Sequence, residues 1–396
     1  MIRPPSQTAG RYDAPMRARD LGIAIGRGTP GPHNAITDVA GVTVGHTTLI
    51  EGDGPLRVGH GPIRTGVTVV VPGPERGARY FAGSHVLNGN GEMTGLAWVH
   101  EAGQLSGPIG LTNTHSVGVV HDALIAAALG VDGVNEDWWF LPVVGEIFDG
   151  TLNDIDGFHV RGEHVQAALD AAAPGAVAEG GVGGGTGAVS FEFKGGIGTA
   201  SRITDQRDGG FTVGVLVQTN FGFREWLRVD GVPVGEAVNT DVVPSAYGRE
   251  QSPGDRYGPR RLPPPGSGSI IVVVATDAPL LPHQCQRLAQ RAGLGLARVG
   301  SVGGQTSGEL FFCFATGNVL QGHDSGKPVG SVHMLDDTFI DPLFMATIES
   351  TEEAVVNALV AAETMTGRDG HTAHALPHDL LVEAMVRFGR DVRSPG

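Results

Sequence analysis

The chain has 396 residues, of which 40% are hydrophobic and 17% charged, and its formal net charge is -15. That apolar share is enough to offset chain entropy and excludes a disordered protein; the acidic balance excludes nucleic acid as a partner, since phosphate backbones demand clustered Lys and Arg. The longest apolar run, Ile270 to Ala275, falls far short of the ~20 residues that cross a bilayer, so no membrane association is expected.

The opening residues carry no apolar h-region of a secretory signal. Two cysteines, Cys285 and Cys313, cannot build a disulfide framework and read as small apolar side chains. A reduced, cytoplasmic protein is expected. The 63 glycines are in excess, but they sit singly or in pairs between β-branched residues, as in the tight turns of a strand-rich fold.

In chain order, Leu21–Gly26, Val42–Thr48, Gly66–Val71 and Pro108–Asn113 read as strands between Gly and Pro clusters. Ser116–Leu129 switches to helical spacing with Ser116 as its cap, and a second helix fits His164–Ala173. Strands return at Gly187–Phe193, Gly196–Arg202 and Phe211–Gln218. The Pro-, Gly- and charge-rich stretch from Arg228 to Gly266 predicts an exposed connection. It delivers the most apolar strand, Ser269–Thr276, after which Asp277 caps a helix running to Leu296 with Pro279 in its first turn. Leu310–Thr316 is another strand, and Ser350 opens a helix through a capping box with Glu353. Strands buried on both faces, interleaved with long helices, predict an α/β fold: a four-layer αββα sandwich of two central sheets with helices outside both. A single catalytic domain, 1–396, accounts for the whole chain.

Chemistry concentrates at Gly268-Ser269, where the Pro-rich connection meets the buried strand. Glycine permits backbone geometry that other residues resist, and a serine hydroxyl there can attack the preceding carbonyl. Hydrolysis of the resulting ester frees Ser269, whose α-amine, with an ordinary pKa of about 8, can serve as base for its own hydroxyl. The products are an α subunit, 1–268, and a β subunit, 269–396. Ser267 is the rival nucleophile, because Gly266-Ser267 repeats the dipeptide, but it lies further from the strand. In GGQTSGEL, Ser307 and Glu309 are spaced to share one side of an extended segment, where a carboxylate can orient a hydroxyl and stabilise an ammonium. In VQTNFG, the amide of Asn220 ends a strand and can donate to a developing oxyanion.

These pieces, with GTPGPHNAITDVAGVTVGH, LTNTHSVGVVHDAL, LPVVGEIFDGTLNDIDGFHV and GGVGGGTGAVSFEFKGGIGTASR, resemble the self-processing L-aminopeptidase/D-amino-acid esterase-amidases and β-peptidyl aminopeptidases. The resemblance spans roughly Arg19 to Gly370. It implies an αββα sandwich resembling N-terminal-nucleophile hydrolases, small peptide, amide or ester substrates, and a homo-oligomer of αβ heterodimers, commonly four. It makes Ser269 the nucleophile, Ser307 and Glu309 its supporting hydroxyl and carboxylate, and Asn220 the oxyanion donor. Glu146 falls where the family receives a substrate's free amino end. Phe148 stands where the family often has a tyrosine, so one hydroxyl near the site is missing.

Three alternatives differ in class. Ornithine acetyltransferases share a related architecture but cleave before threonine, whereas this chain offers Gly-Ser. GGVGGGTG (180–187) could cradle phosphate, yet it lacks the ending of a P-loop and leads into a strand. His371, His374 and His378, or His100, His115 and His121, could suggest a metal, but no acidic ligand completes either set, and the chemistry requires no metal or cofactor.

Overall fold

The computed structural model describes residues 16–75, 77–129, 139–247, 268–320, 329–390 and 392. Its strands begin with β1 (Thr43–Glu51), β2 (Ile63–Val71), β3 (Arg79–Gly89), β4 (Gln104–Leu105), β5 (Ile109–Asn113) and β6 (Val143–Ile147). They continue with β7 (Val189–Ser190), β8 (Phe193–Lys194), β9 (Gly196–Ile203), β10 (Thr212–Asn220), β11 (Ser269–Thr276), β12 (Gly308–Leu320), β13 (Met365–Thr366) and β14 (Thr372–Ala373). The helices are α1 (Leu96–Ala102), α2 (Val117–Leu129), α3 (Gly162–Asp170), α4 (Val234–Ala237), α5 (Pro282–Arg298), α6 (Asp341–Val360) and α7 (His378–Arg387).

Two sheets dominate, one in the order β1-β2-β5-β6 and one in the order β4-β3-β12-β11-β10-β9. The alternation of β11 shows how they stack. Ile271 and Val273 turn inward to a core shared with Val70 and Leu111 of the smaller sheet. Ile270, Val272 and Val274 turn outward onto Leu288 and Ala292 of α5 and Val355 and Leu359 of α6. On the other side, Val67 and Val69 of β2 pack outward against Val120 and Leu124 of α2 and Val165 and Ala168 of α3. Helix, sheet, sheet, helix is the expected four-layer sandwich. A strand covered on both faces cannot alternate polar and apolar, which is why β11 reads as an unbroken apolar run. Each of its Val and Ile side chains contributes about 1.5–3 kcal/mol through burial. Among the described residues, no helix is long and apolar enough to cross a membrane.

Several local expectations fail for identifiable reasons. Leu21–Gly26 is no strand: a 3₁₀ turn over Ala18–Leu21 leads into irregular chain, with Ile23 and Ile25 buried and the Ile25 carbonyl taken by the Arg202 guanidinium at 2.6 Å. Asn113, not Ser116, accepts the backbone hydrogen bond that starts the α2 region, from His115 N–H. Asp277 caps no helix. Its carboxylate accepts from Thr212 N–H at 2.8 Å, while α5 begins at Pro282 with Gln284 reaching back to Leu281 N–H. Ser350 and Glu353 lie in the middle of α6, buried, instead of at its start.

Gly187–Phe193 is not one strand but the hairpin β7–β8, turned at Phe191 and Glu192, both at positive φ (48 and 62). The connection after Arg228 is only partly exposed over its described part: residues 239–242 face solvent, but Val229, Val232, Val234, Val238 and Val243 are buried. Arg224 makes this possible by donating to the carbonyls of Val238 and Val243 and, across the hairpin, of Phe191 and Glu192, with its guanidinium over the Phe193 ring. A loop can pack inside when its carbonyls find donors. The remainder of that connection, 248–267, including Ser267, lies outside the described residues. β3 and α1 were not anticipated by the sequence pattern.

Candidate active site

Ser269 is the first residue of β11, paired with Asn220 of antiparallel β10 on one side and with Gly308 of parallel β12 on the other. Strand alternation sends its side chain inward with Ile271, toward the gap between the sheets. A cavity of about 550 Å³ opens there, lined by Ser269 and Gly268 from the large sheet, Glu146 and Phe148 from the end of β6, Thr114, and the 89–92 turn after β3. Among its described lining residues are two carboxylates, Glu92 and Glu146, and no lysine or arginine.

Gly268 is required by close approach. A Cβ there would fall 1.8 Å from the Asn220 carbonyl oxygen. The Gly268 carbonyl accepts from Gly308 N–H at 2.9 Å. The carbonyl that Ser269 would attack is thus already held by a donor of the kind that stabilises oxyanions.

Asn220 is 3% exposed. Its Oδ1 accepts from Val189 N–H at 2.7 Å, and its Nδ2 donates to the Phe148 carbonyl at 2.7 Å, which leaves one N–H of that amide. Ser307 and Glu309 are buried, and among the described residues Ser307 Oγ and Glu309 Oε2 have no hydrogen-bond partner. Burial pushes the Glu309 carboxyl above its ordinary value, with nearby Ser307 and Asn88 opposing the rise. Neither Ser307 nor Glu309 lines the cavity. Glu309 alternates onto the outer face with Phe311 and Cys313, opposite the Ser269 side chain. The pair therefore stands behind the start of β11, away from the hydroxyl.

Glu146 is a buried member of β6, not a solvated strand end. Its Oε1 accepts from Glu92 N–H at 2.9 Å, and its Oε2 accepts from the Thr114 hydroxyl. Burial raises its pKa, hydrogen bonds from Thr114 and Glu92 N–H lower it, and the Glu92 charge raises it. Phe148 lines the cavity and gives its carbonyl to Asn220. Sequence reasoning missed Asn88 and Asn90. Asn88 donates to the carbonyls of Gly304 and Ser307, and Asn90 to that of Thr306, so the end of β3 braces the QTSGEL turn. The signal was two Asn-Gly pairs in LNGNGE.

The rejected sites resolve locally. Gly183 and Gly184 wedge between the sheets, their N–H groups taken by Thr48 and Thr68, so no open phosphate cradle forms. His100 bonds Ser84, His115 pairs with Asp156, and His378 bonds the Val360 carbonyl, each at a separate place.

A model of Peptidase family S58 matches residues 34–373. The chain is 49% identical over 375 residues to beta-peptidyl aminopeptidase BapA of Sphingosinicella microcystinivorans, covering 94% of this chain and 93% of that one. A solved beta-aminopeptidase from Burkholderia sp. has TM-score 0.85 and 50% identity, over 95% of this chain and 100% of that one. The L-aminopeptidase D-Ala-esterase/amidase of Ochrobactrum anthropi, described as a prototype serine aminopeptidase with a variant of the Ntn hydrolase fold, has TM-score 0.82 and 42% identity, over 94% and 99%.

Proposed function

The chain belongs to Peptidase family S58 and is an N-terminal-nucleophile aminopeptidase, and from that premise we propose that Ser269, freed by a cut after Gly268, is its nucleophile. The observation that carries this is the Gly268 carbonyl, pinned by Gly308 N–H beside the serine that begins β11. In the uncut chain, Ser269 Oγ adds to the Gly268 carbonyl carbon, the C–N bond breaks, and the acyl group moves to oxygen as an ester. Water hydrolyses the ester, leaving a carboxylate on Gly268 and a free α-amine and hydroxyl on Ser269.

The same hydroxyl then attacks a substrate's acyl carbon. Its proton passes to the Ser269 amine, which Ser307 and Glu309 support from behind the strand, and goes on to the departing amine. Water releases the acyl group. Gly308 N–H and the remaining N–H of Asn220 stabilise the oxyanion, and the Glu146 carboxylate receives the substrate's ammonium. The named relatives act as beta-peptidyl aminopeptidases or as an L-aminopeptidase and D-Ala-esterase/amidase. We assign this chain small amino-acid amides and short peptides with free amino ends, β-amino acids included. Assembly of four αβ heterodimers belongs to the same proposal, and light scattering of the purified protein tests it.

Intact mass measurement tests the cut. Purified protein should yield fragments 1–268 and 269–396, and Ser269→Ala should stay whole. Cleavage elsewhere, or continued cleavage at this bond in Ser269→Ala, refutes the assignment.

A further inference from the structure

The two sheets meet largely through apolar side chains, and burial of that kind has no direction. Hydrogen bonds that cross the gap do have one, and β10 supplies two of them. Asn220 Nδ2 donates to the Phe148 carbonyl, just beyond β6, at 2.7 Å. Gln218 Nε2 donates to the Thr112 carbonyl of β5 at 2.9 Å. Strand alternation explains the pair: Val215 and Val217 turn outward onto the helices, so Leu216, Gln218 and Asn220 turn inward.

Register puts both ties at the site. Asn220 stands opposite Ser269 across β10–β11, and Gln218 stands opposite Ile271, one inward-facing step away. On the other sheet Thr112 stands beside Glu146 across β5–β6, and the Thr114 hydroxyl, two residues on, donates to the Glu146 carboxylate. The Thr112 hydroxyl donates to the Gly66 carbonyl at 2.9 Å, which anchors this stretch of β5 to β2. The Gln218 bond therefore joins the strand beside Ser269 to the strand beside Glu146. Gln218 is wholly buried and does not line the cavity. A carboxamide is costly to bury, and the inward neighbours Leu216 and Ile271 are apolar, so an apolar side chain would suit the position better for packing alone. The amide is closely seated. A Cβ at Gly184 would fall 2.1 Å from Gln218 Oε1 and 2.7 Å from the Leu111 carbonyl oxygen, so Gly184 of GGVGGGTG makes room for it.

We propose that Gln218 is a positioning residue that sets the spacing between Ser269 and Glu146, and through it the length of amino-acyl group that the cavity favours. An α-amino acid carries its ammonium one carbon from the acyl carbon, and a β-amino acid carries it two carbons away. With the ammonium on Glu146 and the acyl carbon at Ser269, a fixed gap fits one of these lengths better, and the other is misaligned for attack. The cross-sheet bond holds the gap where apolar contact alone would permit small slips. The proposal rests on the readings of Ser269 and Glu146 given above.

The p-nitroanilides of glycine and β-alanine test it, because they share a leaving group and differ by one methylene. The readout is the ratio of their kcat/KM values per cleaved chain. Wild type should prefer one of them by about tenfold or more, and Gln218→Met should shrink that preference about threefold or more. In a Glu146→Gln background the same change should leave the ratio within about twofold, because the group whose distance it sets no longer holds the ammonium. A merely structural role would lower both rates together and leave the ratio alone. No preference in wild type, a smaller change or a widened preference in Gln218→Met, or the same shift in the Glu146→Gln background overturns the proposal. A Gln218→Met protein that folds yet stays whole overturns it too, by placing the amide in the cleavage step. Gln218→Asn, whose amide is one methylene too short to span the gap, carries the measurement if Gln218→Met does not fold, and failure of both to fold overturns the proposal by making the tie a requirement of the fold. Wild-type rates on both anilides in Glu146→Gln, or cleavage elsewhere than after Gly268, instead remove the reading of the site on which it rests.

Discussion

Glu309 is buried at the start of β12, with one oxygen unpartnered among the described residues and its pKa raised by burial against the pull of Ser307 and Asn88. A carboxylate kept dry beside a hydroxyl is available to a cation that arrives later, and the proposed cleavage after Gly268 would create one, the Ser269 ammonium. It must be ionised to serve. A raised pKa means that the ionised form is lost, as acid is added, at a pH above the ordinary glutamate value of 4.5. Because the Ser269 amine, with an ordinary pKa of about 8, must also be neutral to act as base, Glu309 is expected as a second, lower step on the acid limb of the kcat/KM profile, above 4.5. Glu309→Gln should lower turnover about a hundredfold or more while far-ultraviolet circular dichroism stays that of the folded protein. Wild-type turnover in that variant would show that the carboxylate has no part in the reaction. Ser307 and Glu309 were legible as a pair from their spacing in QTSGEL. The face they occupy was not, because Ser269 and Glu309 lie on different strands and only their register sets the two side chains on opposite faces of one sheet.

At the scale of elements, α6 shows how a local signal and a tertiary one can share residues. Ser350-Thr-Glu-Glu has the pattern of a capping box, yet the helix starts nine residues earlier at Asp341, with Pro342 at its start. Glu353 is spent elsewhere: it pairs with Arg19 at 2.7 Å and with Arg202, and accepts from Asn34 Nδ2 at 2.6 Å. Neither arginine lies within a hundred residues of it in sequence, so a local window could not reveal the use. By contrast β11, β10 and the α2 region were legible, because burial on both faces or on one stripe writes itself into consecutive residues. Burial alone would push the Glu353 carboxyl up, but the Arg19 hydrogen bond and the charges of Arg202 and Arg19 carry it below its ordinary value. A lowered pKa gives stability that is present above the unfolded carboxylate value and lost as pH falls through the folded one. Glu353→Gln leaves Arg202 under-compensated in the interior and should cost about 3–5 kcal/mol in urea unfolding at neutral pH. The gap from wild type should shrink as pH drops below the ordinary carboxylate range. A gap constant with pH would mean that packing, not charge, accounts for the loss.

For the whole molecule, the sandwich makes the site out of two sheets that have no strand in common. The large sheet supplies Ser269 and Gly308 from β11 and β12, and the small sheet supplies Glu146 from β6 and Phe148 just beyond it, across a cavity of about 550 Å³. The distance between the proposed nucleophile and this carboxylate is thus set by sheet-on-sheet packing, and sequence placed Glu146 in the site only through family resemblance. Its burial is what gives it force. A dry carboxylate with its oxygens held by Thr114 and Glu92 N–H gains more from an arriving ammonium than a solvated one would, typically about 1.5–3 kcal/mol for a charge-assisted bond. Its pKa is raised by burial, so binding of free-amine substrates should weaken as pH falls through a value above 4.5, and KM should rise there. Glu146→Gln keeps the shape and removes the charge. It should lower kcat/KM about ten- to a hundredfold for amides with a free amino end. N-acetylation of the same amide should abolish hydrolysis by the wild-type protein, because the acetylated end brings no cation and must place a methyl and a carbonyl against two carboxylates. Paired assays on free and acetylated amides, each with wild type and Glu146→Gln, read both effects at once. Equal rates on the two amides would mean that the cavity does not select chain ends, and the role assigned to Glu146 would fall with that result.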